Sequence, residues 1–152
     1  MIQRKTPLKS SRKTLKRSAI KKRPTPEATL KKKLWELCKQ IIREAYGNTC
    51  YTCWKDGLKG SDWHTGHFIP SSTCGAYLRY DLRNLRPQCY HCNINLGGNG
   101  AIFYRNLVDD VGQAEVDQLF EDKKIVVKAD RIFYESLITK YTDILRQIRE
   151  TA

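Results

Sequence analysis

Four cysteines in two Cys-x-x-C pairs, Cys50 with Cys53 and Cys89 with Cys92, are the residues of this chain best suited to chemistry. Each pair forms a turn that brings two thiolates within reach of one small cation. Two such turns supply the four soft ligands that tetrahedral zinc prefers. The spacer, residues 54 to 88, is too long for a tight zinc ribbon, so a further structure is expected between the knuckles. It contains His67 and Asn84, and Asn93 follows just past the second pair. With zinc pinning a strand against a helix, His67 and Asn93 are expected to face one another. An imidazole, an amide oxygen and open positions suit a second, hard cation such as Mg2+ or Mn2+. An imidazole can also take a proton from water near neutral pH. Asn84 can hydrogen-bond the backbone or the imidazole and fix its orientation.

The elements that must position these groups are legible to different degrees. Thr25-Pro26-Glu27 is a helix start, with a hydroxyl cap, a proline in the first turn and an acid beside it. Leu30, Leu34, Leu37, Ile41 and Ala45 recur at spacings of three and four, and Gly47-Asn48 stops the pattern. Trp35 and Ile42 widen the stripe. Two glycine turns after the first knuckle predict a hairpin. One strand lies near Cys53, and a return strand runs from Trp63 to Ile69 and ends at Pro70. Residues 71 to 83 read as an irregular loop. A helix begins near the second knuckle, is loosened by Gly97-Gly98-Asn99-Gly100 and resumes from Ala101 to Val111. Residues 113 to 124 form a short helix with Val116, Leu119 and Phe120 on its apolar face. Asp130 to Glu150 form a long one, with Phe133, Leu137, Tyr141, Ile144, Leu145 and Ile148 at helical spacing. The last helix packs on the core, or else offers a dimer face.

Charge divides the chain unevenly. Residues 1 to 33 carry thirteen Lys or Arg and one acid, which accounts for the whole net charge of +12. The remaining 119 residues hold fifteen basic and fifteen acidic side chains. A block this pure repels itself, stays solvated and gains free energy by neutralising a polyanion. Residues 1 to 24 are therefore expected to be a disordered tail that binds nucleic acid. Its contacts would be Arg4, Lys5, Lys9, Arg12, Lys13, Lys16, Arg17, Lys21, Lys22 and Arg23, with Lys31 and Lys32 continuing onto the helix. A membrane is disfavoured as partner, since the tail has no apolar face to insert and no run reaches transmembrane length. No apolar segment follows the basic start as a secretory signal would require. In a reducing compartment, paired Cys-x-x-C reads as metal rather than disulfide. Cys38 is a small buried hydrophobe of the first helix, and Cys74 takes no role. Arg79, Arg83, Arg86 and Arg105 are phosphate contacts or ordinary surface charges. His91 is expected at the surface.

His67-Phe-Ile-Pro70, Asn84-Leu85 and Cys89-x-x-Cys92-Asn93 together resemble the HNH nuclease motif, a ββα-metal fold within a zinc-bound treble clef. The wider stretch, from TGHFIP through RYDLRNLRPQCYHCN to GGN with Tyr104 and Leu107, resembles the phage NinG/Rap recombination protein family. This resemblance implies an α+β fold: a zinc-bound core over residues 48 to 112, a helix at 25 to 47 and a helical segment at 113 to 152. It implies a metal-dependent endonuclease acting on branched recombination intermediates, Holliday junctions or D-loops, in the cytoplasm of an infected bacterial host. A symmetric junction cut would call for a homodimer. His67 takes the place of the general base, Asn84 of the supporting asparagine and Asn93 of a metal ligand. Many HNH sites carry a metal-binding aspartate directly before the histidine; here that residue is Gly66. On an extended strand Asp62, His64 and Gly66 share a face. His64 or Asp62 is therefore a candidate replacement ligand, as are Asn99 and water. The competing reading is a zinc module that binds DNA or RNA without cutting it.

Overall fold

The computed structural model describes residues 25–151; the ten tail contacts from Arg4 to Arg23 lie outside them. Helix α1, Pro26–Tyr46, starts where the sequence marks it. The Thr25 hydroxyl accepts from Ala28 N at 3.2 Å, and Gly47 at φ 71° closes it with an N–H bond to the Arg43 carbonyl. Helix α5, Arg131–Thr151, lies beside it in the same direction. Lys31 meets the Tyr134 ring near one end, and Glu44 meets Arg149 at 3.1 Å near the other. The apolar face of α5 (Tyr134, Ile138, Tyr141 and Leu145) is thus buried against α1, through Leu34, Cys38, Ile41 and Ile42.

Strands β1 (Trp63–His67) and β2 (Leu85–Cys89) form an antiparallel pair, with His64 opposite Gln88, Gly66 opposite Arg86 and His67 opposite Leu85. This corrects the expected hairpin. The segment after the first knuckle forms no strand, and the partner of β1 comes from the residues leading into the second knuckle. Pro87 sits inside β2, where it fits because, among the described residues, only β1 pairs with β2. All five β2 residues are buried, so no alternation of polar and apolar residues marks it.

The two-stranded sheet separates two cores. Trp63, Leu85 and Cys89 join the α1–α5 core. A second core gathers Tyr51, Phe68, Ile69, Cys74 and Leu78 against helices α3 (Gly100–Val111) and α4 (Gln113–Asp122), through Phe103, Leu107, Val116 and Leu119. Between β1 and β2 the chain is not wholly irregular: a short helix α2, Ala76–Arg79, and a 3-10 turn, Leu82–Asn84, interrupt it. That stretch is tied down at Tyr80, whose carbonyl accepts the Tyr141 hydroxyl at 2.6 Å, and at Arg83, which pairs with Asp81 and Asp122. The fold is α+β. No described helix is long and apolar enough to cross a membrane.

Candidate metal centre and imidazole sites

The two knuckles converge. The sulfurs of Cys50, Cys53, Cys89 and Cys92 all lie within 4.8 Å of one another, and none of the six cysteines is in a disulfide. Zinc bonded to four sulfurs at about 2.3 Å sets them about 3.8 Å apart; Cys53 and Cys89 Sγ stand at 3.8 Å. Backbone amides also point at the sulfurs. Cys89 N–H donates to Cys50 Sγ at 3.2 Å, and Cys92 N–H to Cys89 Sγ at 3.4 Å. Such bonds stabilise thiolate over thiol. Burial pushes the Cys50 thiol up, but the Thr52 hydroxyl and the amides of Cys53, Cys89 and Thr52 outweigh it and bring the group down to about 6. The cluster fits a metal such as zinc. The first knuckle closes tightly enough to hold Trp54 at φ 61°, a left-handed conformation unusual for a bulky residue. Cys38 and Cys74 stand apart, each buried in one of the two cores.

The two histidines of β1 part company. They are three residues apart on an extended strand, so they face opposite sides of the sheet. His64, not His67, meets Asn93, with 3.1 Å between His64 Nδ1 and the Asn93 amide nitrogen. The expected His67–Asn93 opposition is therefore corrected, and the cause is strand alternation. His64 Nε2 lies 3.0 Å from the Ser61 carbonyl. A carbonyl only accepts, so Nε2 carries the proton, Nδ1 accepts from Asn93, and the Asn93 oxygen is left for another partner. The other candidate ligands are engaged. Asp62 accepts from Tyr90 N–H at 3.0 Å and from Lys55 at 2.7 Å. Asn99 donates to Cys92 Sγ at 3.7 Å.

His67 lies on the side of α1. Its ring stacks on Trp35, with centroids 5.3 Å apart and planes 6° from parallel. Its Nε2 donates to the Arg79 carbonyl at 3.0 Å. That bond fixes the tautomer and leaves Nδ1 as a free acceptor. Burial pushes the imidazole below its ordinary value, so it is neutral near pH 7. Around it is a cavity of about 480 Å³ whose lining includes Lys31, Lys32, Trp35, Ser71 and Arg79. Lys31 and Lys32 were marked by their charge. Trp35 and Ser71 were not, since a tryptophan on an apolar stripe reads as core.

Asn84 is fully buried. Its oxygen accepts Ile69 N–H at 2.7 Å, and its nitrogen donates to the Ile69 and Leu78 carbonyls at 3.1 and 3.2 Å. It grips backbone rather than the imidazole, and so fixes the segment that leaves His67. Of the arginines, Arg79 and Arg105 are exposed, Arg83 is in ion pairs, and Arg86 is buried over the rings of Tyr46 and Tyr51. His91 is exposed.

A family model described as bacteriophage lambda NinG protein matches residues 2–150. Protein ninG of Salmonella phage P22 is 32% identical over 75 residues, 49% of this chain and 36% of that protein. Protein ninG of Escherichia phage 933W is 31% identical over 70 residues, 46% and 33% of the two chains. That of Escherichia phage lambda is 30% identical over 70 residues, again 46% and 33%. The matched stretch thus spans about a third of the length of these curated relatives. No solved structure matches. The family match runs through the knuckles, both β1 histidines and helices α1 to α4, and through α5 as far as residue 150, and on that extent the chain belongs to the bacteriophage lambda NinG family.

Proposed function

We propose that this chain is a divalent-metal-dependent DNA endonuclease of the HNH type, with a structural zinc at the four cysteines and branched recombination DNA as substrate. The observation that carries the reading is the state of His67. It is a neutral imidazole with its Nε2–H tied to a backbone carbonyl and its Nδ1 unpaired, in a cavity lined by Lys31, Lys32 and Arg79. Those cations suit a phosphodiester, and the free Nδ1 suits removal of a proton from attacking water. Trp35 and Asn84 hold the imidazole and the backbone beyond it against drift.

On the opposite face Asn93 keeps an unfilled oxygen, with His64 as the neighbour that orients it. Strand β1 pairs with no second strand among the described residues. A phosphodiester laid along that edge would have His67 on one side and Asn93 on the other. Mg2+ or Mn2+ held by Asn93 would neutralise charge on the phosphate and the leaving oxygen. His64 would ligate directly only by giving up its bond to Ser61 or to Asn93.

The placement of His67 and Asn93 on opposite faces favours one rival, a zinc-stabilised module that binds nucleic acid without cutting it. Incubating plasmid and four-way junction DNA with Mg2+ or Mn2+, wild type beside His67→Ala and Asn93→Ala, separates the two. Nicking that both substitutions abolish supports the endonuclease. Tight binding by the wild type with no cleavage under either ion supports the rival.

A further inference from the structure

We propose that an aromatic and acidic cavity beside the first knuckle receives a lysine or arginine side chain from residues 1–24 of the same chain. The cavity holds about 380 Å³, and its lining includes Tyr46, Tyr51, Trp54, Asn106, Asp109 and Asp110. Trp54 is its most telling member. It stands at φ 61°, where glycine is the default and a bulky side chain is strained. The knuckle turn uses only its backbone, through Trp54 N–H donating to the Cys50 carbonyl at 2.9 Å. Burial does not offset the strain, since the residue is 63% exposed. Strain kept on an exposed aromatic points to a contact made outside the packed core.

The lining says which kind of contact. The rings of Trp54 and Tyr51 meet at 45° with centroids 6.3 Å apart, so they form a corner rather than a stack. Aromatic faces attract cations, and the two aspartates do the same. No Lys or Arg lines the cavity. Buried Arg86 lies over the rings of Tyr46 and Tyr51 and donates to Asp110 at 3.4 Å, and the Tyr51 hydroxyl donates to Asp110 at 3.0 Å. Asp110 is thereby compensated. Asp109 is exposed and has no ion pair among the described residues.

Charge and reach select the occupant. Residues 1–24 carry ten Lys or Arg and no acid. Covalent attachment keeps them at about millimolar effective concentration, so a modest contact fills the cavity. Tyr46 ends α1, about 30 Å along the helix from Thr25. An extended chain covers about 3.3 Å per residue, so about nine residues are needed to span that length. Lys21, Lys22 and Arg23 are too near Thr25 to reach the cavity. Arg4, Lys5, Lys9, Arg12 and Lys13 are far enough along the chain.

The test is carbodiimide crosslinking of the zinc-loaded full chain without nucleic acid, which joins a carboxylate to a lysine amine in contact with it. Peptide mass spectrometry on an equal mixture of 14N- and 15N-labelled protein reads the products. Expected are single-isotope crosslinks from Asp109 or Asp110 to Lys5, Lys9 or Lys13, and none to Lys21 or Lys22. Trp54→Gly removes the wall and relieves the strained backbone. It should lower the yield about fivefold or more with zinc and melting temperature retained, and Trp54→Phe should restore most of it. Mixed-isotope crosslinks would assign the cavity to a second copy and overturn the proposal. So would an unchanged yield in Trp54→Gly, or no crosslink from either aspartate to residues 1–24.

Discussion

Trp35 and His67 stack nearly parallel, 5.3 Å apart, so the first helix supplies a wall to an imidazole carried by the strand between the two knuckles. That wall contributes to the burial that pushes His67 below the ordinary histidine value of 6.5. Replacing it with Trp35→Ala lets water reach the ring, and the His67 pKa rises toward 6.5. An NMR titration of the imidazole measures the change; a pKa that stays put or falls would contradict the stated cause.

Stability carries the same signature. The folded imidazole resists a proton that the unfolded chain accepts. Stability is therefore full above about pH 6.5 and declines as pH falls through the lower folded pKa. His67→Gln, which cannot titrate, removes that part of the decline. Urea midpoints at pH 5 and pH 7.5 should differ more for the wild type than for the variant.

Asn84→Ala removes three hydrogen bonds and leaves the Ile69 N–H and the Ile69 carbonyl without their side-chain partner in a fully buried site, while the Leu78 carbonyl keeps the Asp81 N–H. Each such loss costs about 1 kcal/mol and an orphaned buried group more, so about 2–4 kcal/mol is expected. Denaturant unfolding measures it. Zinc content should be unchanged, because Asn84 touches none of the four sulfurs.

The cysteine cluster predicts one zinc per chain, and Cys89→Ser should lose it. Cys89 is bonded from two directions, to Cys53 Sγ at 3.8 Å and to Cys92 N–H at 3.4 Å. Structural zinc contributes folding energy directly. The variant should therefore melt without cooperativity, and elemental analysis should find less than one zinc per chain. A Cys89→Ser protein that melts cooperatively with full zinc would refute the assignment.

Salt should govern DNA affinity. Deleting residues 1–24 removes ten of the chain's 28 basic side chains. The slope of log affinity against log salt should fall by several, at about 0.9 per lost phosphate contact. Equal slopes for the full and shortened chains would assign the DNA contacts elsewhere.

The longer helices and the thiolate cluster are legible in the sequence because each rests on local spacing, whereas the four-residue α2 is not. Thr25-Pro26 and Gly47 bracket α1, and two Cys-x-x-C turns need only approach one another. Pairing across the sheet is not local. Strand β2 is buried on every residue and contains Pro87, so nothing in its pattern marked it, and the first knuckle's glycines suggested a hairpin that does not form. The partner of Asn93 is illegible in the sequence for a related reason. His64 and His67 differ by an odd number of positions, and only the register decides which imidazole turns toward the second knuckle. Gly66 reads as a missing ligand; that it leaves room for Gln88, whose Oε1 a Cβ there would meet at 2.0 Å, depends on the opposite strand.

If His67 Nδ1 removes the proton from water during phosphodiester cleavage, the loss of its imidazole should be repaired from solution. Single-turnover cutting of a four-way junction with Mn2+ by His67→Ala, with and without added imidazole, tests it most directly. Cleavage slowed by about 100-fold or more and substantially restored by imidazole is expected. Cleavage by His67→Ala at the wild-type rate would contradict it.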